Sequence, residues 1–307
     1  MAQIHWSSAA IGAAVLPLSW LVAELWKARK NTVKPNTGRV PYKVVITGGS
    51  RGLGCALAHE FLSMGDEVVI ASRNASACET AAAKLQQQHP QGTVLQHSCD
   101  VSQPEDVQQL AAFARQQLGQ IDIWVNNAGV SQLPKAPLAD TSVEEIQQVI
   151  STNMLGALLG SKAAMQTMNA QPSGGRIFLI DGAGSRGTAT ANSATYGSTK
   201  AAMPQLLRSL AAEVKQSKVS VHLASPGMVA TDLLLKGVSN PRAAKIVNIL
   251  AEDPKVVAAW LAPRMRGVAG NGTYFKYLTP LGVLMRFLTA RRRRNRFLSW
   301  QEAAKSA

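Results

Sequence analysis

Cysteine is scarce in this sequence of 307 residues, which contains only Cys55, Cys78 and Cys99. No Cys-x-x-Cys pair occurs and the number is odd, so neither a disulfide framework nor a cysteine-based zinc site is predicted. The five histidines show no metal-ligand spacing, and the sequence predicts no metal site. We interpret the cysteines as small core residues in a reducing compartment.

Acidic residues are also few, since 18 Asp and Glu stand against 32 Lys and Arg, giving a net charge of +14. Such an excess indicates an anionic partner, which could be a membrane surface, nucleic acid or a phosphorylated cofactor; simple solubility is the alternative. The hydrophobic content of 46% is sufficient for a sizeable core. We therefore expect one domain of roughly 230–250 residues with extensions at its ends.

An apolar segment over residues 7–26 has tryptophans towards its ends and a basic stretch beginning at Lys27 directly after it. Its length is near the minimum for a bilayer-spanning helix, and the basic stretch would keep the following chain on the cytoplasm-like side. Glu24 and Pro17 oppose a true span, so a partly inserted amphipathic helix and a targeting or core-docking segment are alternatives. A signal peptide is disfavoured because no basic residue precedes the apolar run. We assign residues 1–41 to a membrane anchor and linker.

Short apolar runs then alternate with amphipathic segments. The predicted strands are Val44–Ile46, Glu67–Ala71, Thr93–Ser98, Ile121–Val125, Arg176–Ile180 and Val219–Ala224. The predicted helices cover 52–64, 75–89, 104–118, 142–168 and the residues from Ser193 onward. This alternation predicts an α/β fold with a doubly wound, Rossmann-type parallel sheet and ligands at the carboxyl ends of its strands.

A glycine-rich turn between the first strand and the first helix is typical of a phosphate cradle. Glycines let the backbone approach a pyrophosphate, and the helix N-terminus favours its charge. The candidate cofactor-binding residues in this turn are Gly48, Ser50, Arg51, Gly52, Leu53 and Gly54.

The end of the second strand lacks the acidic residue that would bind a ribose 2′-hydroxyl. Arg73 stands there instead, and Arg51 lies in the glycine-rich turn. Two cations suit a 2′-phosphate, so the sequence favours NADPH over NADH. Asp100, followed by Val101 after the third strand, is a candidate acceptor for the adenine amino group.

Further polar residues follow the later strands. Asn126–Gly129 ends the fourth strand, where Asn127, Ala128 and Gly129 would let the backbone approach a flat ligand and lock neighbouring strands. Asn153 lies inside a helix, which indicates a hydrogen-bonded role because asparagine is a poor helix former. Thr231, after the sixth strand, is a candidate partner of the nicotinamide amide or the pyrophosphate.

The stretch from Asp181 to Lys200 joins the fifth strand to a helix. Tyr196 and Lys200 are spaced to share one helix face, where a lysine can favour the phenolate of its neighbour. Ser185, on the loop before them, could reach the same space. These residues could supply a proton donor, its electrostatic partner and a hydroxyl that holds an oxygen.

Together these motifs resemble the short-chain dehydrogenase/reductase family over residues 42–278. They are the glycine-rich turn, Asn126–Gly129, Asn153, Tyr196-x-x-x-Lys200 and Pro226-Gly227. The resemblance implies NAD(P)-dependent hydride transfer between a carbonyl and a hydroxyl. It makes Tyr196 the general acid and Lys200 the ribose-binding residue that lowers the phenol pKa. Ser185 would position the carbonyl, Asn153 would support a water relay, and Pro226 and Gly227 would contact the cofactor.

One departure from the family pattern concerns the serine, because Ala183 occupies its usual position and Ser185 lies closer to Tyr196. Asp181 and Ser193 are the less favoured substitutes. The motif Asp181–Ser185, together with Pro263–Arg266 and Tyr277–Pro280, resembles the chlorophyll b reductase subfamily. That resemblance implies NADPH-dependent reduction of the C7 formyl group to 7-hydroxymethyl chlorophyll a, at the stromal face of chloroplast thylakoid membranes.

The remaining predictions concern partners. Residues 228–270 are expected to form helices that cover a chlorophyll b or chlorophyllide b substrate; the alternative is that they only complete the core. The basic, apolar tail at 279–307 favours an anionic bilayer surface, with a solvated tail or a nucleic-acid patch as alternatives, and we predict no nucleic-acid partner. Light-harvesting complexes and a second copy of the chain are further candidate partners.

The rival functions are reduction of another apolar carbonyl, such as a retinoid, sterol or long-chain ketone, and a non-catalytic NADPH-binding scaffold.

Overall fold

The structure, a computed structural model, describes residues 41–299. The apolar segment over residues 7–26 and the last residues of the tail, from 300 onward, lie outside the described residues. Within residues 41–299, none of the helices has the length and apolar character needed to cross a membrane.

A parallel sheet of seven strands forms the centre of the molecule, in the order β3-β2-β1-β4-β5-β6-β9. Its strands are β1 (Lys43–Thr47), β2 (Glu67–Ser72), β3 (Val94–Ser98), β4 (Ile123–Asn126), β5 (Gly175–Ile180), β6 (Val219–Ser225) and β9 (Tyr274–Lys276). Two further strands, β7 (Met228–Val229) and β8 (Ala251–Glu252), form a separate parallel pair. The predicted α/β fold is confirmed, and the short strands β7, β8 and β9 are additions that the sequence did not reveal.

Helices cover both faces of this sheet. They are α1 (Gly52–Ser63), α2 (Ala75–Gln88), α3 (Pro104–Leu118), α4 (Val143–Ile150), α5 (Gly156–Asn169), α6 (Ala194–Glu213), α7 (Asp232–Leu235), α8 (Pro241–Leu250), α9 (Pro254–Gly267) and α10 (Pro280–Leu288). Helices α1, α2 and α9 contribute to one hydrophobic cluster, and α3, α5 and α6 contribute to the other.

The short apolar runs become central strands because alternate side chains point to opposite faces. In β1, Val44 and Ile46 join the first cluster whereas Val45 joins the second, and all three are fully buried. A strand covered on both faces needs a continuous apolar run rather than an alternating one. Complete burial of such a side chain contributes about 1.5–3 kcal/mol.

The long helix predicted over residues 142–168 is interrupted. Ser142 accepts a hydrogen bond from the backbone N–H of Glu145, whose side chain in turn bonds the backbone of Ser142, so a capping box begins α4. A π-helical turn, Ser151–Leu155, separates α4 from α5 and carries Asn153. Such turns occur frequently at functional sites.

Residues 228–270 form three helices and two short strands. Helix α9 packs on α1, and its Val257, Ala258 and Leu261 are fully buried in the core. This part of the segment therefore completes the core, as the alternative interpretation expected. The short helix α7 and α8 lie between the paired strands β7 and β8 in the chain.

The basic tail packs against the central domain as far as the structure describes it. Helix α10 is followed by a 3-10 turn, Ala290–Arg293, and the backbone carbonyl of Leu298 accepts a hydrogen bond from Asn248 on α8. Three arginines of this region bind Glu252 on β8. The described tail is thus a docked structure rather than a solvated extension.

Candidate active site

The carboxyl ends of β1, β4, β5 and β6 meet at one edge of the sheet, as parallel strands require. The loops that leave these ends carry most of the predicted site residues. Their arrangement can therefore be followed loop by loop, beginning with the glycine-rich turn after β1.

The glycine-rich turn leaves no room for side chains facing its neighbours. Gly48 and Gly52 have φ values of +65° and +56°, which favour glycine. A Cβ on Gly54 would overlap the backbone carbonyl of Gly48. Helix α1 begins directly after Arg51 without a side-chain cap or an acidic residue in its first turn. Its free N–H groups form a cradle suited to a pyrophosphate.

The residues after β4 lock this turn in place. The Nδ2 atom of Asn127 donates to the carbonyl oxygens of Thr47 and Gly48, at 2.9 and 3.1 Å. The Thr47 hydroxyl accepts from the backbone N–H groups of Asn127 and Ala128, both at 3.1 Å. Asn126 faces inward and donates to the hydroxyl of Ser161 at 3.1 Å. The strand-locking role expected of these amides is therefore present.

The candidate adenosine end of the site contains paired charges. Arg73 Nη1 lies 4.0 Å from Asp100 Oδ2, and the Arg73 side chain is 58% exposed. Arg51 Nη1 lies 3.8 Å from Asp232 and is 77% exposed. Asp100 also accepts hydrogen bonds from the backbone and hydroxyl of Ser102. Both arginines remain accessible to a phosphate.

The segment after β6 reaches back to the glycine-rich turn. Gly227, which follows Pro226, has a φ of +70° and lies against Leu278. A Cβ on Gly52 would lie 3.0 Å from the Cγ2 atom of Thr231. Thr231 therefore borders the candidate pyrophosphate cradle, and its contact with the cofactor stays a prediction.

Asn153 is buried in the π-helical turn and holds the backbone of Val130. Its Oδ1 accepts from the Val130 N–H at 2.8 Å, and its Nδ2 donates to the Val130 carbonyl at 2.9 Å and to Thr199 Oγ1 at 3.2 Å. Beside it, Lys200, Thr47 and Thr152 help to line a cavity of about 10 Å³. That volume is sufficient for roughly one water molecule.

Tyr196 and Lys200 lie on α6 with their side chains in one buried region. Lys200 donates to the carbonyl of Ile180 at 3.0 Å, and its Nζ lies 5.8 Å from the centre of the Tyr196 ring. Burial lowers the pKa of Lys200 to about 8, whereas the negative charge of Asp181 acts to raise this pKa. Burial and, secondarily, Asp181 raise the pKa of Tyr196 to about 12. This direction is opposite to the lowered phenol pKa that the family resemblance implies, because burial disfavours the charged phenolate.

Gly182 brings the loop after β5 directly against the phenol. A Cβ on this residue would overlap the hydroxyl oxygen of Tyr196. Gly184, with a φ of +97°, packs in the same way on the backbone of Gly197 at the start of α6. The two glycines thus let the loop lie closely on the helix that carries the tyrosine.

Ser185 lies on this loop but is not hydrogen-bonded to Tyr196 among the described residues. Its backbone N–H donates to the Gly182 carbonyl at 3.1 Å, and its hydroxyl influences the pKa values of Asp181 and Tyr274. Ala183 is exposed. Tyr274 had no local signal in the sequence, since the strand that carries it has only three residues.

This fold and this edge of the sheet define a dinucleotide-binding oxidoreductase with a tyrosine and a buried lysine on one helix. The short chain dehydrogenase family model matches residues 42–241. The chain belongs to the short-chain dehydrogenase/reductase family, whose members bind NAD(P).

Curated relatives cover most of the chain. The probable chlorophyll(ide) b reductase NYC1 of Oryza sativa subsp. japonica is 47% identical over 84% of this chain, which covers 54% of that protein. The chlorophyll(ide) b reductase NOL of the same organism is 44% identical over 81% of this chain and 75% of its own length. Both names carry the word chloroplastic. The chain spans about half the length of the NYC1 relatives it matches.

Solved structures share the fold. A short-chain dehydrogenase/reductase from Mycobacterium marinum has a TM-score of 0.69 at 26% identity, covering 76% of this chain and 93% of that one. A short-chain dehydrogenase from Burkholderia cenocepacia in complex with NADP has a TM-score of 0.67 at 24% identity, covering 78% and 97%, and supports the fold alone.

Proposed function

We propose that this protein reduces the C7 formyl group of chlorophyll b or chlorophyllide b to a hydroxymethyl group, with NADPH as the donor. The observation that carries the proposal is the half-buried Tyr196 on the same helix as the buried Lys200, beside a loop whose Gly182 contacts the phenol. Similarity to the chlorophyll(ide) b reductases over more than four fifths of the chain supports the substrate.

The residues around the glycine-rich turn fit a dinucleotide. A cradle for the pyrophosphate is formed by the uncapped start of α1 together with the backbone at Gly48 and Gly54. A Cβ on either glycine would fill this cradle. Arg51 and Arg73 are accessible cations for a 2′-phosphate, which supports NADPH over NADH. When bound, the cofactor supplies a hydride to the formyl carbon.

In this mechanism Tyr196 donates its phenolic proton to the formyl oxygen. Burial raises the pKa of the phenol to about 12, so the phenol is protonated at neutral pH and its proton is available for transfer. The Lys200 ammonium would stabilise the phenolate that remains and is the residue that would hold the nicotinamide ribose. A water in the cavity bordered by Asn153 and Lys200 would then return a proton. We retain Ser185 as the candidate second donor to the formyl oxygen, since it shares the loop that contacts Tyr196.

Replacement of Tyr196 by Phe tests this proposal. General acid catalysis typically contributes about 10²–10⁴-fold, so Tyr196→Phe should lose that much turnover with chlorophyll b while still binding NADPH. Tyr277→Phe is the matched control, because its hydroxyl contacts Arg286 away from Tyr196.

The assay compares NADPH with NADH and chlorophyll b with retinal. Turnover of the pigment with NADPH is expected. Activity on retinal with inertness on the pigment would favour the rival reductase function. Binding of light-harvesting complexes without turnover of any carbonyl would favour the scaffold function.

We further propose that α10 and the arginines after it contact an anionic bilayer, consistent with a thylakoid location at the stromal face. Leu284, Met285, Phe287 and Leu288 are 51%, 50%, 43% and 70% exposed. Arg291, Arg292 and Arg294 are exposed directly beyond them. Basic residues beside exposed apolar side chains favour an anionic membrane surface.

Vesicle sedimentation tests this membrane contact with the full chain. A triple change of Arg291, Arg292 and Arg294 to Gln should weaken binding to phosphatidylglycerol vesicles by about 100-fold, since each cation contributes about 1 kcal/mol. Leu138→Asp, which changes an exposed leucine on another surface, should leave binding unchanged. Equal binding by the triple variant and the wild type would contradict the proposal.

A further inference from the structure

A buried carboxylate that the proposed mechanism does not use lies beside the catalytic pair. Asp181 follows β5 and is 3% exposed. Its backbone N–H donates to the carbonyl of Ala224 at 3.0 Å, and the hydroxyl of Tyr274 donates to its Oδ2 atom. Its Oδ1 atom is buried and has no partner with hydrogen-bond geometry among the described residues.

The backbone connects this carboxylate to both members of the pair. The residue before Asp181 is Ile180, whose carbonyl accepts the hydrogen bond from Lys200. The residue after it is Gly182, which lies against the hydroxyl of Tyr196. Asp181 is therefore held between the two backbone contacts that position the lysine and the tyrosine.

Groups from three further elements face Asp181. They are Lys200 and Tyr196 from α6, Ser225 from β6, Tyr274 from β9 and Ser185 from its own loop. Two cations lie near Tyr274. Lys276 Nζ is 4.3 Å from its ring centre, and the charge of Arg186 acts on its hydroxyl. Burial raises the pKa of Asp181, whereas hydrogen bonding by the hydroxyls and the charge of Lys200 lower it.

We propose that Asp181, anchored by Tyr274, is a positioning residue whose negative charge keeps the Tyr196–Lys200 pair protonated. The proposal rests on the proposed reductase function for its catalytic meaning. During reduction the formyl carbon receives the hydride and the formyl oxygen receives the phenolic proton. A nearby carboxylate makes the resulting phenolate less stable and the ammonium more stable. The carboxylate thereby favours return of a proton from solvent to Tyr196, which restores the proton donor for the next turnover.

Nuclear magnetic resonance of the tyrosine Cζ carbons tests the charge directly and needs no pigment. The Tyr196 signal is assigned by comparison with Tyr196→Phe. We expect Asp181→Asn to lower the titration midpoint of Tyr196 by at least about one pH unit, as expected for loss of a nearby charge. Tyr277→Phe, which removes a hydroxyl that contacts Arg286, retains the carboxylate with its Tyr274 anchor and should leave the midpoint at the wild-type position.

The pH profile of kcat/KM provides the catalytic measurement. In Asp181→Asn the alkaline limb should move to lower pH, because Tyr196 and Lys200 both lose their protons more readily. NADPH binding and thermal unfolding establish that the variant is folded. An unchanged midpoint in folded Asp181→Asn, or equal shifts in Asp181→Asn and Tyr277→Phe, would overturn the proposal.

A measurement on the unchanged protein covers the case in which Asp181→Asn does not fold. The Tyr196 Cζ signal should show a second, smaller step at the pH where the carboxyl carbon of Asp181 titrates, and absence of that step would overturn the proposal. If the titrations couple but chlorophyll b is not reduced, the proposed substrate fails and the role of Asp181 stands.

Discussion

Replacement of Glu252 by Gln is expected to destabilise the protein strongly. Three arginines bind this carboxylate: Arg286 and Arg293 reach Oε2 at 3.2 and 2.9 Å, and Arg296 binds Oε1. The Glu252 side chain is 10% exposed, and those of the arginines are 13–26% exposed. Glu252→Gln therefore leaves three partly buried guanidinium groups without a counter-charge.

The magnitude follows from this burial. Removing one partner of a buried ion pair costs about 3–5 kcal/mol. The arginines also donate to the backbone carbonyls of Ile249, Leu250 and Ala251, which retain part of the stabilisation. We therefore expect a loss near the lower limit, about 3 kcal/mol in the free energy of unfolding.

The effect should extend to the candidate site. Glu252 on β8 pairs with Val229 on β7, two residues before Thr231 at the glycine-rich turn. The same variant should thus loosen both the docked tail and the segment that borders the cofactor cradle. Weaker NADPH binding is expected alongside the lower stability.

Urea unfolding at pH 7 provides the measurement, with Asp232→Asn as the control. Asp232 pairs with Arg51 and Lys236 but is 59% exposed, so its loss should cost at most about 1 kcal/mol. A loss in Glu252→Gln no larger than in Asp232→Asn would refute the reasoning.

The pH dependence of the stability difference between the wild type and Glu252→Gln offers an independent check. Burial alone would raise the pKa of Glu252, but hydrogen bonds and charges from Arg293 and Arg296 outweigh it and lower the pKa below its ordinary value of 4.5. The stabilisation is therefore fully present above pH 4.5 and is lost as the pH falls through the folded-state pKa. Wild type and Glu252→Gln should converge in stability at acid pH.

Three further predictions concern the core and the site. Gly182→Ala should lower kcat by about 100-fold or more without weakening NADPH binding, because the added methyl group displaces the Tyr196 hydroxyl. Near-normal turnover in this variant would contradict the placement of Gly182 against the phenol. Burial lowers the pKa of His222 to about 4, so roughly 3 kcal/mol of stability should be lost from pH 6.5 to 4, and His222→Phe should flatten this profile in urea unfolding. Arg73→Gln should weaken NADPH by about tenfold and leave NADH affinity unchanged in fluorescence titrations, whereas an equal loss for both cofactors would exclude a 2′-phosphate contact.

Much of the central fold was predictable because its determinants are local. The runs at Val44–Ile46 and Ile121–Val125 contain enough consecutive apolar residues for strands buried on both faces. The helix 104–118 was predicted with the bounds that α3 has in the structure. The prediction for residues 142–168 missed the π-helical turn, because a one-residue change in hydrogen bonding leaves no clear signal in the pattern of side chains.

The sequence by itself determined the glycine-rich turn, the parallel strands and the spacing of Tyr196 and Lys200, since each depends on residues close together in the chain. Only the tertiary structure decided the surroundings of that pair. Tyr274 reaches Asp181 across 93 positions, and the tail arginines reach Glu252 across more than 30. Such contacts depend on how the sheet and the docked tail bring distant segments together. The Asp181 carboxylate therefore acquires its partners only in the folded protein.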